Sequence, residues 1–335
     1  MCFVLELNLC YVTKLNRISR KEGLLLRVIY YALFLIFCLL FLTRAFAIEI
    51  KVSTTQELRQ AIHTTNQTVD EEPIEILLAD GHYNNATNLR ITRPWLTIRS
   101  LSGQAKKVVL SGNGMRESNS VELIFDVSAS HVTIADLTLK EVSNHLIQVR
   151  AEANADYFTL SNWVLQDASQ QLLKVSGSNS NEFADFGIIE HNRFEYTAGI
   201  GPNYYIGGID AHRSRNWTVS HNTFSNISSP QDRVAEYAIH FWHGAENIEV
   251  IHNLIVNSDR GIGFGMGNRG EQARGGLIAH NRIVHTESPP PFADVGISLE
   301  SSPDTIVSKN VINMKSSYPH VSDQYRPASP DLATP

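Results

Sequence analysis

A four-residue motif recurs through the second half of the chain: His191-Asn192-Arg193-Phe194, His221-Asn222-Thr223-Phe224, His252-Asn253-Leu254-Ile255 and His280-Asn281-Arg282-Ile283. Together with Asn162 and Asn310, six asparagines recur at intervals of 30, 30, 31, 28 and 29 residues. Each of them lies in a short stretch in which apolar and polar residues alternate. Such regular spacing predicts an internal repeat, and the repeat determines the fold class.

The repeats favour strands over helices. Alternation with a period of two, β-branched residues and polar turns are typical of strands, whereas helical periodicity is missing and the leucine-rich consensus does not fit. We therefore predict an all-β parallel β-helix, in which each repeat forms one coil and the coils stack about 4.8 Å apart. Residues 53–62 combine a hydroxyl N-cap with apolar residues on one helical face, which predicts a short N-terminal helix that caps the first coil.

The first 47 residues differ in composition from the rest of the chain. Four basic residues precede an apolar run over residues 28–42, and Ala45-Phe46-Ala47 matches the small-x-small pattern that signal peptidase recognises. We predict a signal peptide over residues 1–47, and hence a secreted, periplasmic or cell-envelope protein. Arg44 leaves an uncleaved membrane anchor as the alternative, although the apolar run is shorter than the roughly 20 residues that a spanning helix needs. Membrane contact is expected only in that case.

The composition excludes several classes of partner. The 335 residues carry a formal net charge of -6, without the basic excess of nucleic-acid-binding proteins. We expect neither a nucleic acid nor a nucleotide as partner. All three cysteines lie in the predicted leader, so the mature domain has no disulfide and no thiolate metal site.

The repeat pattern ends before the chain does. We assign residues 48–317 to the parallel β-helix and residues 318–335 to an irregular tail, because Tyr318-Pro319-His320 opens a segment rich in Pro, Ser and Asp. Such an end is expected of a truncated or frameshifted reading frame, with the last coil left uncapped.

Several stretches resemble a known superfamily: Gly208-Ile209-Asp210-Ala211-His212-Arg213, Glu236-Tyr237-Ala238-Ile239-His240-Phe241-Trp242, Asp259-Arg260-Gly261-Ile262-Gly263-Phe264-Gly265 and Asp294-Val295-Gly296-Ile297-Ser298-Leu299-Glu300. They are similar to the right-handed parallel β-helix repeat proteins of the pectin-lyase-like superfamily, in a bacterial branch. The stretch Ala79-Asp80-Gly81-His82-Tyr83, with the helix before it, resembles the start of secreted lyases of the alginate and chondroitin type. The resemblance implies a right-handed solenoid and a carbohydrate-related function. It transfers no catalytic or calcium-binding motif to this chain.

Stacking of the repeats predicts which side chains face outward. Apolar pairs such as Ile209 and Ala211 point inward, so the residues between and after them point outward. The first outward column is Gln148, Lys174, Asp210, His240, Gly263 and Ser298. The second outward column is Arg150, Ser176, His212, Trp242, Gly265 and Glu300. We call these two columns the outer strip, and it is rich in titratable side chains.

We expect an active site on the outer strip. Its candidate catalytic residues are Asp210, His212, His240 and Lys174, since a histidine beside a carboxylate can act as an acid or base near neutral pH. The candidate substrate-binding residues, chosen to bind uronate or sulfate groups and to contact sugar rings, are Arg213, Arg215, Trp242, His243, Arg260 and Glu300. Gly263 and Gly265 are expected to leave room for a flat polymer. The alternative is an ordinary polar face, on which the histidines only pair with Asp210.

A further column holds three carboxylates, Glu236, Asp259 and Asp294. Stacked carboxylates repel each other unless they are neutralised. A bound Ca²⁺ ion, an ion pair between Asp259 and Arg260, and a hydrolytic carboxylate pair are the explanations open, and the ion pair is favoured. The expected cofactor is therefore none, or Ca²⁺. The four repeated histidines would form a row rather than a tetrahedral zinc site, which favours simple stacking.

The predicted function is that of an exported carbohydrate-active protein that binds an acidic polysaccharide and cleaves it by β-elimination. Elimination from a uronate requires a cation that neutralises the carboxylate and a base that removes the C5 proton, and His240, His212, Lys174 and Arg213 could provide both. A polysaccharide hydrolase is one alternative. A non-catalytic β-helix for polysaccharide binding or surface adhesion is the other.

Overall fold

The computed structural model describes residues 47–69, 72–116, 121–177, 181–230, 233–286, 290–314 and 323–327. The predicted signal peptide, apart from Ala47, lies outside the described residues. In the described ranges, no helix is both long and apolar enough to cross a membrane.

Three parallel sheets run along the domain, and the chain visits them in turn, with strands numbered in chain order. Sheet A contains β1 (Ile48–Val52), β2 (Ile74–Leu78), β5 (Leu96–Ser100), β8 (Val132–Ala135), β11 (Thr159–Ser161), β15 (Ile188–Glu190), β19 (Thr218–Ser220), β22 (Glu249–Ile251), β25 (Leu277–Ala279) and β28 (Ile306–Ser308). Sheet B contains β3 (Gly81–Asn84), β6 (Val108–Ser111), β9 (Thr138–Val142), β12 (Val164–Ala168), β16 (Arg193–Glu195), β20 (Thr223–Ser225), β23 (Leu254–Val256), β26 (Arg282–Val284) and β29 (Val311–Asn313). Sheet C contains β4 (Leu89–Ile91), β7 (Leu123–Val127), β10 (His145–Arg150), β13 (Gln171–Ser176), β17 (Gly207–His212), β21 (Tyr237–Trp242), β24 (Arg260–Phe264), β27 (Val295–Leu299) and β30 (Asp323–Arg326).

The strand order within each sheet follows the chain, so consecutive coils stack on one another. A small fourth sheet pairs β14 (Ala184–Asp185) with β18 (Ser214–Arg215) at a corner of the coils. Connections between parallel strands of one sheet are right-handed in nearly all proteins. The predicted fold, a right-handed parallel β-helix, is confirmed.

The helix α1 (Thr55–Thr65) packs against β1, β2 and β4, the first strands of sheets A and C. Thr54 is its N-cap and accepts the backbone amide of Glu57 at 3.1 Å, while the Glu57 carboxylate accepts the amide of Ser53 at 2.7 Å. Its buried face consists of Leu58, Ala61, Ile62 and Thr65. The helix lies where the N-cap pattern predicted it. Two short 3-10 helices, Ala105–Lys107 and Ala151–Ala153, complete the helical segments described.

Buried asparagines connect the coils at the turn between sheets A and B. Nδ2 of Asn192 donates to Oδ1 of Asn222 at 2.9 Å, and the same bond joins Asn222 to Asn253, Asn253 to Asn281 and Asn281 to Asn310 at 3.0 Å. Each accepting Oδ1 also takes the backbone amide of the preceding asparagine. This amide ladder satisfies polar groups that the stacked turns remove from water.

Asn162 does not belong to the amide ladder. The predicted alignment of the first repeat is therefore wrong by one residue. Trp163 takes the ladder position, because its backbone amide donates to Oδ1 of Asn192 at 3.0 Å. Asn162 occupies the left-handed position before it, with φ of 59°, a conformation that asparagine tolerates well. In the later coils that position belongs to four exposed histidines with φ of 57° to 58°, His191, His221, His252 and His280. Their rings stack with centroids 4.9 to 5.1 Å apart, as predicted.

The register of sheet C confirms the first outward column and its inward neighbours. The inward partners, all buried, are Ile147, Leu173, Ile209, Ile239, Ile262 and Ile297. One position further along the strands, the paired residues are Gln148, Lys174, Asp210, His240, Gly263 and Ser298. His212 is likewise paired with Trp242. The sheet therefore brings Lys174, Asp210 and His240 together on adjacent strands.

The end of the described chain differs from the predicted irregular tail. Residues Asp323–Arg326 form β30, which pairs with β27 and sets Tyr325 opposite Ile297. The guanidinium of Arg326 also forms an ion pair with Asp294 on the neighbouring coil. The strand could not be predicted from the polar composition of this segment. It forms because the edge of sheet C offers a partner strand, and it has no alternating apolar pattern of its own.

Candidate functional site

A cavity of about 130 Å³ lies on the outer face of sheet C, beside β17 and β21. Its lining consists of Gln171, Tyr205, Asp210, Glu236, His240, Trp242, Met266 and Arg269. The outer strip contributes Asp210, His240 and Trp242. The other lining residues lie at strand ends or in the loops around β17 and after β24, so the cavity combines a rigid sheet with irregular segments.

Asp210 is the centre of the polar contacts next to this cavity. Its Oδ2 accepts the ammonium group of Lys174 in an ion pair, and its Oδ1 accepts the indole N–H of Trp242 at 2.6 Å. Nδ1 of His240 lies 3.7 Å from Oδ1, and Nε2 of His212 lies 3.8 Å from Oδ2. The other three predicted catalytic residues, Lys174, His212 and His240, therefore surround the Asp210 carboxylate.

The charges of this cluster determine its protonation. Burial alone would raise the pKa of Asp210, but Lys174, His240 and His212 together lower it to about 2. Burial lowers the pKa of His212 to about 4, and the charge of Lys174 acts in the same direction. At neutral pH, Asp210 is therefore a carboxylate and His212 is a neutral ring. Accordingly, Nε2 of His212 lies 3.0 Å from Nζ of Lys174 and accepts a hydrogen bond from it.

His240 is only 2% exposed and is held between two aromatic rings. The ring of Tyr237 lies 4.7 Å from it, and Trp242 stacks on it at 5.7 Å with an interplanar angle of 13°. Nε2 of His240 donates to the carbonyl of Gly265 at 2.9 Å, since a carbonyl can only accept. In the neutral ring this bond leaves the lone pair on Nδ1, the atom that faces Asp210.

Two of the predicted substrate-binding arginines have partners within the protein. Arg213 is buried and donates to the Glu271 carboxylate at 2.6 Å through Nη1, with a second bond through Nη2. Arg215 donates to Asp185 at 2.8 and 2.6 Å. Both guanidinium groups are engaged at the corner that follows sheet C, and neither lines the cavity. They fit a role in holding this corner better than a role in binding substrate.

The carboxylate column keeps its predicted register but has different partners. Arg260 donates to Asp294 at 2.9 Å instead of pairing with Asp259, and Arg326 binds the other oxygen of Asp294. Oδ2 of Asp259 accepts two backbone amides, at 3.0 and 2.8 Å. Both oxygens of Asp294 and Oδ2 of Asp259 are therefore engaged by hydrogen bonds within the protein. Within the described parts of the chain, no group of three or more His, Cys, Asp or Glu is arranged to hold a metal ion.

The remaining predicted substrate-binding residues and the two glycines of the outer strip contact other parts of the protein. Nδ1 of His243 accepts the amide of Glu271 at 3.2 Å, and Glu300 lies 3.4 Å from the hydroxyl of Tyr237. The ring of Tyr237 covers Gly263, where an added Cβ would come within 2.7 Å of it. Gly265 similarly packs against the backbone of Glu300. The expected flat groove over the two glycines is therefore filled from within the protein.

Five residues that line the cavity were not predicted as catalytic or substrate-binding residues: Gln171, Tyr205, Glu236, Met266 and Arg269. Arg269 is exposed in the loop after β24, and its guanidinium makes no hydrogen bond or ion pair with any residue that the structure describes. Glu236 is half-buried and its carboxylate is similarly free among the described residues. Tyr205 lies in the loop before β17. Positive φ values at Gly267 and Gly270 mark the loop of Arg269 as a turn, but such a signal does not tell where the loop points.

Comparison with known proteins identifies the fold. No protein-family model matches the chain, and no curated protein matches it. An alginate lyase from Paenibacillus sp. str. FPU-7 superposes with a TM-score of 0.53 at 14% identity, over 84% of this chain and 99% of that one. The chain shares the fold of this lyase.

Two further solved structures superpose less well. An iota-carrageenase from A. fortis has a TM-score of 0.40 at 12% identity, over 75% of this chain and 58% of that one. The A-module of a mannuronan C-5 epimerase from Azotobacter vinelandii has a TM-score of 0.30 at 11% identity, over 83% and 98%. The likeness to these two structures is too weak to support an argument about fold or activity, so the activity is argued from the site.

Proposed function

We propose that this protein binds an acidic polysaccharide at the cavity of sheet C and cleaves it by β-elimination. The observation that carries the proposal is the convergence of three groups on one cavity: the Asp210 carboxylate, the His240 imidazole and the Arg269 guanidinium, which has no partner among the described residues. An alginate lyase with the same fold supports a lyase activity, although a shared fold does not determine the reaction.

His240 is the proposed base. Its Nε2–H is fixed by the Gly265 carbonyl, so the lone pair of the neutral ring lies on Nδ1. When Nδ1 takes the C5 proton of a uronate, Asp210 stabilises the imidazolium that forms, because the two atoms are only 3.7 Å apart. Lys174 keeps Asp210 ionised for this role. The electrons of the C5–H bond form the C4=C5 double bond, and the bond from C4 to the glycosidic oxygen breaks.

Arg269 is the proposed partner of the substrate carboxylate. A guanidinium binds a carboxylate through two parallel hydrogen bonds, and its charge acidifies the neighbouring C5 proton. The leaving oxygen takes a proton from the hydroxyl of Tyr205, which lines the same cavity. A cavity of about 130 Å³ is smaller than a usual small-molecule pocket, so it admits the reacting part of one sugar while the polymer lies across the surface.

The experiment is an assay of the purified protein on alginate, pectin and chondroitin. Elimination creates unsaturated ends that absorb ultraviolet light, and hydrolysis creates reducing ends without that absorbance. We expect His240→Gln to lower turnover at least a hundredfold, the usual contribution of a general base. His252→Gln, in the exposed histidine row, is the matched control and should be fully active. Full activity of His240→Gln would exclude this base.

A second candidate function is hydrolysis of the polymer. Asp210 and Glu236 both line the cavity, and hydrolysis of a glycosidic bond requires two carboxyl groups on either side of it. Reducing ends without new ultraviolet absorbance, lost in Glu236→Gln, would favour hydrolysis. Retained binding without either product would favour a non-catalytic binding protein.

A further inference from the structure

A second and larger depression, of about 370 Å³, lies on the outer face of sheet B. It spans β6, β9, β12 and β16 together with the 3-10 helix before β6. The lining residues that matter here are Lys106, Val109, Thr138, Lys140, Val164 and Arg193. None of these belongs to the cavity of sheet C.

The floor of this depression is flat and largely apolar. Val109, Thr138 and Val164 are consecutive Cα partners, and the column continues to His82 at one end and Arg193 at the other. The hydroxyl of Thr138, between the two valines, already donates to the backbone carbonyl of Ala105 at 2.9 Å. The column covers four coil steps, or roughly 19 Å. A run of pyranose rings could lie along it with apolar ring faces on the two valines.

The rim of the depression is positively charged. Lys106 is exposed and its ammonium group has no partner among the residues described. Lys140 forms an ion pair with Glu141 at 3.1 Å, and Arg193 pairs with Glu195. Glu195 also accepts a hydrogen bond from Gln166 at 2.6 Å, so its charge is satisfied within the protein. The lining thus has three cations against one carboxylate.

We propose that this depression is a second, non-catalytic binding site for an acidic polysaccharide. Lys106 and Lys140 bind the carboxylates or sulfate esters, and Val109 and Val164 contact the ring faces. The choice of a polysaccharide rests on the proposed function, whereas the charge and shape of the site are independent of it.

Two sites on different faces would increase the retention of a long polymer on the protein. A chain held at sheet B raises the local concentration of the same polymer near sheet C, so the second site increases retention without any new contact at the first. The effect is expected with long or insoluble polymers and is absent with short oligosaccharides that reach only one site.

The test is a calorimetric titration of the His240→Gln protein, which prevents cleavage during the measurement. The probes are a mannuronate hexasaccharide, an iota-carrageenan hexasaccharide and the neutral cellohexaose. We expect two acidic oligosaccharides per chain, and only one after Lys106→Gln is combined with Lys140→Gln, because the loss of two charged contacts weakens this site roughly tenfold or more. The two acidic probes distinguish carboxylate from sulfate recognition.

Lys107→Gln is the matched control, since it changes the same charge in the same 3-10 helix but its side chain pairs with Asp80 at 3.7 Å and does not line the depression. This variant should still bind two oligosaccharides. The proposal is overturned by a stoichiometry that the paired lysine substitutions do not change, by equal binding of cellohexaose, or by no binding of either acidic probe. Two bound oligosaccharides on a protein that cleaves no polymer would refute the proposed activity and leave the second site standing.

Discussion

Replacing Asn222 tests how much the amide ladder contributes to stability. Its side chain is 1% exposed and makes four hydrogen bonds. Oδ1 accepts the backbone amide and the side-chain amide of Asn192, both at 2.9 Å, while Nδ2 donates to the carbonyl of Ile189 at 2.9 Å and to Asn253 at 3.0 Å. Asn222→Ala removes all four and leaves the buried backbone amide of Asn192 without this acceptor.

The expected loss follows from the bond count. Each buried hydrogen bond contributes about 1 kcal/mol net, and a buried donor left unsatisfied costs about 1 to 3 kcal/mol. We therefore expect Asn222→Ala to lower the free energy of unfolding by roughly 5 to 7 kcal/mol. For a domain of this size each kcal/mol shifts the melting temperature by about 2 to 4 °C, so Tm should fall by about 10 to 28 °C. Calorimetry and urea unfolding followed by circular dichroism measure both quantities.

Asn162 provides the control, because it is an asparagine of the same sequence repeat that lies outside the amide ladder. It is exposed, and its side chain donates only to Asp136. Glycine is the suitable replacement, since φ at this residue is 59°. Asn162→Gly should cost less than about 1 kcal/mol. If the two variants differ by less than about 1 kcal/mol, the ladder does not hold the coils and apolar stacking is sufficient.

Three further predictions concern the site and its surroundings. Arg269→Gln should lower kcat/KM on an acidic polymer about tenfold or more by removing a charge-assisted contact, and Arg269→Lys should restore part of it; equal kcat/KM for all three proteins would remove Arg269 from the site. Burial lowers the pKa of His145 to about 4, so the folded state binds fewer protons than the unfolded state between about pH 4 and 6.5, and stability should fall as the pH falls through this window. The midpoint of urea unfolding should differ less between the two ends of this pH window in the His145→Gln variant than in the unsubstituted protein. Trp242→Phe keeps a ring beside His240 but removes the 2.6 Å bond to Asp210, so the pKa of Asp210 should rise. A titration of the Asp210 carboxylate followed by NMR measures this shift, and an unchanged pKa would argue against the coupling.

The register of the outer strip could be predicted because side chains alternate between inward and outward positions along the strands of every coil. Alternation with a period of two fixes which side chains face outward. A shift of the register by one residue would expose the apolar side chains of the strand to solvent. Lys174, Asp210 and His240 are therefore adjacent on the basis of spacing alone. The first repeat shows the limit of that rule, because asparagine suits both the ladder position and the left-handed position before it, and Asn162 was assigned to the wrong one.

The charge partners could not be predicted, because they depend on loops. Arg213 pairs with Glu271, which lies 58 residues later in the sequence in a segment without periodicity. Arg269 reaches the cavity from the same segment, and the proposed function gives it the role that was expected of Arg213. Strand spacing carries information about neighbouring coils, but it says nothing about the path of a loop between them.

Lys174, Asp210 and His240 come from three successive coils, and this determines which insertions in the chain would change the distances between them. Their separation is set by the pitch of the stack, so lengthening a surface loop leaves it unchanged. Inserting one whole repeat between β13 and β21 would instead pull the triplet apart by about 4.8 Å and separate the acid from one of its neighbours. Repeats gained or lost beyond β27 would change the length of the protein and leave the arrangement of Lys174, Asp210 and His240 unchanged.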